Sequence, residues 1–329
     1  MTYEGLKTSL IEADTLFDNG NYDEAERLTQ QVLDYIARTN TGNRNDGLLR
    51  VRATFLLGAI AFRCQPYPVA LQYQFEALKI SEANHYPEGT VRAMGNIGLV
   101  HHKLCDYTLA LEYYGKALAL DEELGNKAGV ARHLGNIGNV YSDLSDYSLA
   151  LEYHGKALTL DEELGNKAGV ATHVGDLGVV YAQLADYSLA LEYFGKALLL
   201  EEELGNKLGV AKHLSNIGGA YHYLSNNSIA LEYYNKSLSI HEKLGNLSGV
   251  ARLLGAIGIV QRCLSDFEIA LVSYGKALEI DQNLGNKAGV ASWLGGIGLV
   301  HHSLSDYTLA LDYFSKALAL DEELETKQE

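Results

Sequence analysis

Between residues 127 and 144 apolar side chains fall at Val130, Leu134, Ile137, Val140 and Tyr141, three or four apart, which predicts a helix with one buried face. Leu144-Ser145-Asp146-Tyr147 interrupts this pattern, and Ser or Asp ahead of a new apolar run is a helix-start signal. A second helix is predicted through Leu149, Ala150, Tyr153, Ala157, Leu158 and Leu160 to Leu164, with Gly165 and Asn166 supplying a left-handed end. The next forty residues repeat the arrangement almost residue for residue.

Shifting the chain on itself by forty superimposes Gly98, Gly138, Gly178, Gly218, Gly258 and Gly298, then Ala110, Ala150, Ala190, Ala230, Ala270 and Ala310. Ala117, Ala157, Ala197, Ser237, Ala277 and Ala317 form a third column. A small side chain at a fixed place marks a close approach of two helices, expected here between one unit and its neighbours. The units run 3–42, 47–84, 87–124, 127–164, 167–204, 207–244, 247–284 and 287–324. The first two are degenerate: Asn19-Gly20-Asn21-Tyr22 makes one turn, and Pro66 and Pro68 fall at the other turn and helix start, where proline is tolerated. A lone hairpin exposes apolar residues on both sides. The expected fold class is therefore all-α, with residues 1–329 forming a single α-solenoid of eight hairpins and sixteen helices around a concave surface.

The run Leu134-x-x-Ile137-Gly138-x-x-Tyr141, followed by Tyr147, Ala150 and Ala157, resembles the spaced signature of the tetratricopeptide repeat (TPR) family. That resemblance covers essentially the whole chain and implies a right-handed solenoid whose first helices line a groove for an extended or partly helical peptide. The forty-residue period, with Asp-Glu-Glu-Leu-Gly-Asn in place of a helix-ending proline, is similar to the Leu-Gly-Asn-repeat adaptors that orient the mitotic spindle. It is also similar to bacterial arrays fused to cyclase, kinase or protease effectors. His101, Gln261 and His301 stand where Tyr141, Tyr181 and Tyr221 stand, and are expected to disturb packing locally.

A formal net charge of −16 argues against nucleic acid or a membrane surface as partner, since both are anionic. Cys64, Cys105 and Cys263 are scattered and odd in number, and no leader or long apolar span is evident, so a cytoplasmic setting is expected. Against this acidic background a basic column stands out. Six residues before the central glycine the chain reads Arg52, Arg92, Arg132, Thr172, Lys212, Arg252 and Ser292. Two before it stand Asn96, Asn136, Asp176 and Asn216, with Leu56, Ala256 and Gly296 in the outlying units. A spacing of four puts each pair on one helical face. Arginine binds carboxylates through charge-assisted, often bidentate hydrogen bonds, and asparagine can clamp a peptide backbone. By resemblance to the spindle adaptors, Arg52, Arg92, Asn96, Arg132, Asn136, Asn139, Lys212, Asn216 and Arg252 are candidates for holding an acidic peptide. The competing reading has these cations bridging acids on adjacent helices, as Asp176 is expected to do with a basic neighbour.

His133, His173 and His213 form another column, but helices 8–10 Å apart do not converge three short ligand bonds on one ion, so no metal and no cofactor is expected. Gly135-Asn136-Ile137-Gly138 lies within a helical pattern and is not a phosphate loop. No catalytic constellation is legible, and the chain is not expected to be an enzyme. The acidic runs at 121–123, 161–163, 201–203 and 321–323 are expected on a solvated outer face, with docking of a basic partner as the alternative. The resulting expectation is an adaptor or sensor for a protein or peptide partner. Residues 307–324 match interior second helices and lack a polar cap, which keeps open a homo-oligomer through terminal repeats, or a regulatory region of a larger signalling protein.

Overall fold

The computed structural model describes residues 3–39 and 44–325, and every regular element among them is a helix. The chain divides into two compact units, Met1–Asn166 and Lys167–Glu329. The first holds α1 (Tyr3–Asp18), α2 (Tyr22–Thr39), α3 (Arg44–Cys64), α4 (Tyr67–Ala83), α5 (Pro87–Lys103), α6 (Tyr107–Glu123), α7 (Lys127–Asp143) and α8 (Tyr147–Leu164). The second holds α9 (Lys167–Gln183), α10 (Tyr187–Glu203), α11 (Lys207–Tyr223), α12 (Asn227–Lys243), α13 (Leu247–Cys263), α14 (Phe267–Leu284), α15 (Lys287–Ser303) and α16 (Tyr307–Glu325). Within each unit consecutive helices pair into hairpins, and the second helix of one hairpin lies against the first helix of the next. None of the described helices is long and apolar enough to cross a membrane.

Local chemistry sets both kinds of turn. Inside a hairpin the Asp146 carboxylate accepts from the Leu149 amide and starts α8, while Ser145 takes a left-handed φ of 61°. Cys105, Ala185, Ser225, Ser265 and Ser305 do the same in their own hairpins, a conformation that costs a non-glycine residue about 1 kcal/mol. Between hairpins the Leu-Gly-Asn segment divides the labour. Gly125 takes φ 68° and ends α6, whereas Asn126 accepts from the Gly129 amide and starts α7. Asn126 is thus a cap of the following helix, not a left-handed partner of the glycine.

The glycine column serves the interior of each hairpin, not the contact between neighbours. A Cβ on Gly98 would stand 2.8 Å from the Tyr114 ring, and one on Gly138, Gly178, Gly218, Gly258 or Gly298 would collide similarly with His154, Phe194, Tyr234, Tyr274 or Phe314. The second helix thereby seats its largest buried ring directly on the first helix's backbone. Ala110, Ala150, Ala190, Ala230 and Ala270 are fully buried beside it.

Departures in the tyrosine column prove compensated. Tyr141 stacks on Tyr153 with centroids 5.4 Å apart, and His101 stacks on Tyr113 and His301 on Tyr313 nearly parallel at 6.0 and 5.5 Å. Where Gln261 replaces the ring, its opposite number is Ser273, which donates to Gln261 Oε1 at 2.7 Å. The expected local disturbance is absent at these three places.

Hairpins are joined by a buried polar contact that corrects the reading of the acidic runs as wholly solvated. Asp121, Asp161, Glu201 and Asp281, the first or only acid of each segment, are buried, and Glu122 and Glu123 alone of their run face solvent. One Asp121 oxygen accepts from the Asn126 side chain at 2.7 Å, and the other lies 3.2 Å from Nε2 of His133 on the next hairpin, both residues being 1% exposed. At the corresponding joint of α14 and α15, Trp293 Nε1 donates to Asp281 at 2.6 Å. Where the acid is replaced by His241, the facing position is Leu253, so the joint changes both partners together. Burial, aided by Arg132 and Lys212 respectively, depresses the pKa of His133 and of His213 to about 4.

Two measurements follow. Gly98→Val is expected to lower unfolding free energy by about 2–3 kcal/mol in urea, whereas Gly115→Ala, whose Cβ meets open space, is expected to raise it by about 0.5–1 kcal/mol. Because His133 and His213 bind protons more weakly folded than unfolded, their contribution to stability is present above pH about 6.5 and is lost as pH falls toward 4, by up to about 3 kcal/mol each. The double variant His133→Gln, His213→Gln is therefore expected to flatten the dependence of the urea midpoint on pH across that window; an unchanged slope would assign the acid sensitivity to other groups.

Candidate functional site

The basic column lies on the first helix of successive hairpins, because residues six before the central glycine point away from the ring that the glycine receives. In the first unit Arg52, Arg92 and Arg132 stand on α3, α5 and α7. Arg52 is ion-paired with Asp14 of α1. Arg92 has its guanidinium 4.6 Å over the Phe55 ring, and partial burial pulls its pKa down against the opposing pull of Asp14. Asp14, Arg52, Arg92, Phe17, Phe55 and Tyr86 line an open cavity of about 680 Å³. Arg132 is 59% exposed; its Nη2 lies 3.9 Å from Asp121 and 3.4 Å from His133 Nε2, so its head rests above the buried joint.

The asparagines sit one turn further along the same helices. Asn96 donates to Gln74 Oε1 at 3.0 Å, and Asn136 and Asn139 are half-buried on α7. Here three cations and three amides line one side of the first unit, with one of the cations committed to an internal acid.

In the second unit the column is thinner. Thr172 turns its hydroxyl back to the Ala168 carbonyl, and Asp176 lies 3.6 Å from Lys212, the pairing expected from the sequence. Lys212, Arg252, Asn216, Asn246, His241 and Ser215 converge on an open cavity of about 470 Å³. The Asn216 side-chain nitrogen is buried there without a partner. Burial first, and Arg252 second, lower the pKa of His241, which keeps it neutral beside these cations at neutral pH. Beyond Arg252 the character changes. Ala256 and Gly296 replace the asparagine, and Ile259, Trp293, Leu299 and Phe314 wall an apolar cavity of about 440 Å³. Arg262 sits at its edge with Nε unpartnered.

The structure therefore brings Arg52 and Arg92 to one cavity, and Lys212, Asn216 and Arg252 to another, while Asn96 is engaged with Gln74. Neighbouring acids already satisfy Arg52 and Lys212, as the competing reading requires. Sequence reasoning missed His241 and Asn246 as cavity walls. The signal for His241 was the simultaneous change of Asp to His at 241 and His to Leu at 253, whereas Asn246 repeats Asn126 and Asn206 unchanged.

Comparison with known proteins rests on fold. Solved structures with the same fold include the apo form of the quorum sensor NprR from B. thuringiensis, 14% identical over 96% of this chain and 87% of that one, with a TM-score of 0.72. Aspartyl phosphate phosphatase F from Bacillus subtilis is 13% identical over 98% and 95%, with a TM-score of 0.68. The Rap conjugation gene regulator of plasmid pLS20, solved in complex with the Phr* peptide, is 15% identical over 99% and 96%, with a TM-score of 0.69. No curated protein matches the chain by sequence. The family model for the tetratricopeptide repeat matches residues 49–123, 89–163, 129–203, 169–243 and 249–323. With most of its length covered in this way, and paired helices packed in series within each unit, the chain belongs to the tetratricopeptide repeat family.

Proposed function

We propose that this chain is a non-catalytic, peptide-binding regulator or adaptor, and that Arg92, Asn96, Arg132, Asn136 and Asn139 of the first unit form the surface that holds an acidic, extended segment of a partner. Arg52 shapes the same cavity while paired with Asp14, and Lys212, Asn216 and Arg252 give the second unit its own anion-attracting cavity. The observation that carries this reading is the column of cations, of which Arg92, Arg132 and Lys212 each have an asparagine one turn away, on a chain of net charge −16. Surface pairing alone would add only about 0–1 kcal/mol per arginine to folding. The Phr* complex of the pLS20 regulator, a protein of the same fold, supports a peptide as the class of ligand. An extended segment advances about 3.3 Å per residue, so a few successive hairpins suit roughly ten residues making many weak contacts.

Titration calorimetry against acidic and basic dodecapeptides at low and moderate salt tests the assignment. Acidic peptides are expected to bind, and to weaken as salt rises. Arg92→Glu together with Arg132→Glu is expected to remove that binding while leaving the thermal melt within a few degrees. Equal affinity in the double variant would move the site elsewhere.

A further inference from the structure

Three departures from the repeat meet at one place in the second unit, the joint of α12 and α13. The column of acids that reads Asp121, Asp161, Glu201 and Asp281 becomes His241 there, and the column of rings that reads His133, His173, His213 and Trp293 becomes Leu253. The third departure is on α11, where Ser215 stands in a column that the other regular hairpins fill with Gly95, Gly135, Gly175, Gly255 and Gly295. Ser215 and His241 both line the open cavity of about 470 Å³ that Lys212, Asn216, Asn246 and Arg252 share.

The exchange at 241 reverses the chemistry of the joint. At the α6–α7 and α14–α15 joints the asparagine that caps the next helix donates its side-chain N–H to the buried acid, Asn126 to Asp121 at 2.7 Å and Asn286 to Asp281 at 3.0 Å. Asn246 still caps α13 by accepting from the Gly249 amide, but with His241 in place of the acid its own N–H has lost that acceptor. His241 is 4% exposed and its Nδ1 has no hydrogen-bond partner. The side-chain nitrogen of Asn216 is buried and unpartnered as well. Buried polar groups are rarely left unmatched, so these point to an acceptor brought from outside the chain.

Charge points the same way. Lys212 lies 3.6 Å from Asp176, whereas Arg252 makes no ion pair or hydrogen bond among the described residues, and no carboxylate lines the cavity. Asn246 also opens α13, whose N-terminal end carries partial positive charge. Two cations, two amides, a hydroxyl and an imidazole offer more donors than one carboxylate can accept. A phosphomonoester brings three terminal oxygens and a charge of about −1.5 to −2 at neutral pH, and arginine binds it bidentately.

We propose that the cavity bounded by Lys212, Ser215, Asn216, His241, Asn246 and Arg252 is a phosphate site that takes the phosphoryl group of a phosphomonoester. The group can arrive on a phosphorylated side chain of a bound segment or on a small phosphate ester. This site rests on the anion-attracting character proposed for Lys212, Asn216 and Arg252, and it is independent of Arg92 and Arg132.

The test is titration calorimetry of the full chain with inorganic phosphate and with a capped, otherwise uncharged dodecapeptide bearing one phosphoserine, alongside the same peptide with serine or aspartate at that place. Saturable binding of both phosphate probes is expected, with the phosphopeptide at least tenfold tighter than its serine and aspartate counterparts. A phosphopeptide tighter than inorganic phosphate assigns the site to a modified partner segment, and equal affinity assigns it to small phosphates. Arg252→Gln, a change at an exposed side chain, is expected to weaken binding at least tenfold. His241→Asp with Leu253→His rebuilds the acid–histidine pair of the α6–α7 joint, so this variant is expected to keep its thermal melt and to lose phosphate binding. Arg92→Glu with Arg132→Glu should bind phosphate normally, which separates this site from the first-unit groove. No saturation by either phosphate probe, equal binding of the aspartate peptide, or phosphate binding that survives His241→Asp with Leu253→His overturns the proposal.

Discussion

A buried carboxylate that needs a donor from the next hairpin is the constraint on which this molecule depends. Asp121 has no water to solvate it, and Asn126 satisfies only one of its oxygens. The other lies 3.2 Å from His133 Nε2, twelve residues on in the chain and fixed in space once α7 starts at Asn126. Apolar packing alone would tolerate small slips between hairpins. The Asp281 carboxylate accepting from Trp293 Nε1 does not, because a slip would leave the buried acid unpaired. The Leu-Gly-Asn segment matters for the same reason: its glycine turns the chain, and its asparagine both starts the next helix and orients the acid.

Once neighbouring hairpins are registered in this way, whatever occupies a given position on each first helix becomes a row. The cations at 52, 92 and 132 are one consequence, and the stacked rings at 141 and 153 another. The row is uniform only where the repeated residues are. In the second unit Thr172, Asp176, Ala256 and Gly296 break it, and the surface passes from a cationic cavity around Lys212 and Arg252 to an apolar one around Trp293. Chemical variety along the surface therefore comes from substitutions that leave the joints intact.

Helix positions and turns were legible in the sequence because they follow from periodicity and from residues with strong local preferences, such as Asp146 and Gly165. The role of the glycine column was only half legible. Spacing shows that Gly138 meets something large, but not that the ring is His154 of its own hairpin. The buried acids were misread because Asp121, Glu122 and Glu123 look alike as a string, and only the helical angle between them sends the first inward. Paired changes carried the missing information: Asp with His at 121 and 133, His with Leu at 241 and 253, Gln with Ser at 261 and 273. For the groove, composition pointed to the cations, but which of them are already satisfied depends on contacts such as Arg52 with Asp14 that join residues 38 apart.

The joint also decides which rearrangements of the gene the protein survives. Near-identical forty-residue cassettes invite unequal exchange, and loss of one cassette brings the second helix before it against the first helix after it. Removal of residues 247–286 would set His241 against Trp293, two rings with no orphaned charge between them. Removal of residues 207–246 would instead set the Glu201 carboxylate against Leu253, burying an anion with no donor opposite. Cassettes that look interchangeable by identity are therefore not interchangeable by chemistry, and the permitted lengths of the array are those whose every seam matches an acid to a ring or dispenses with both.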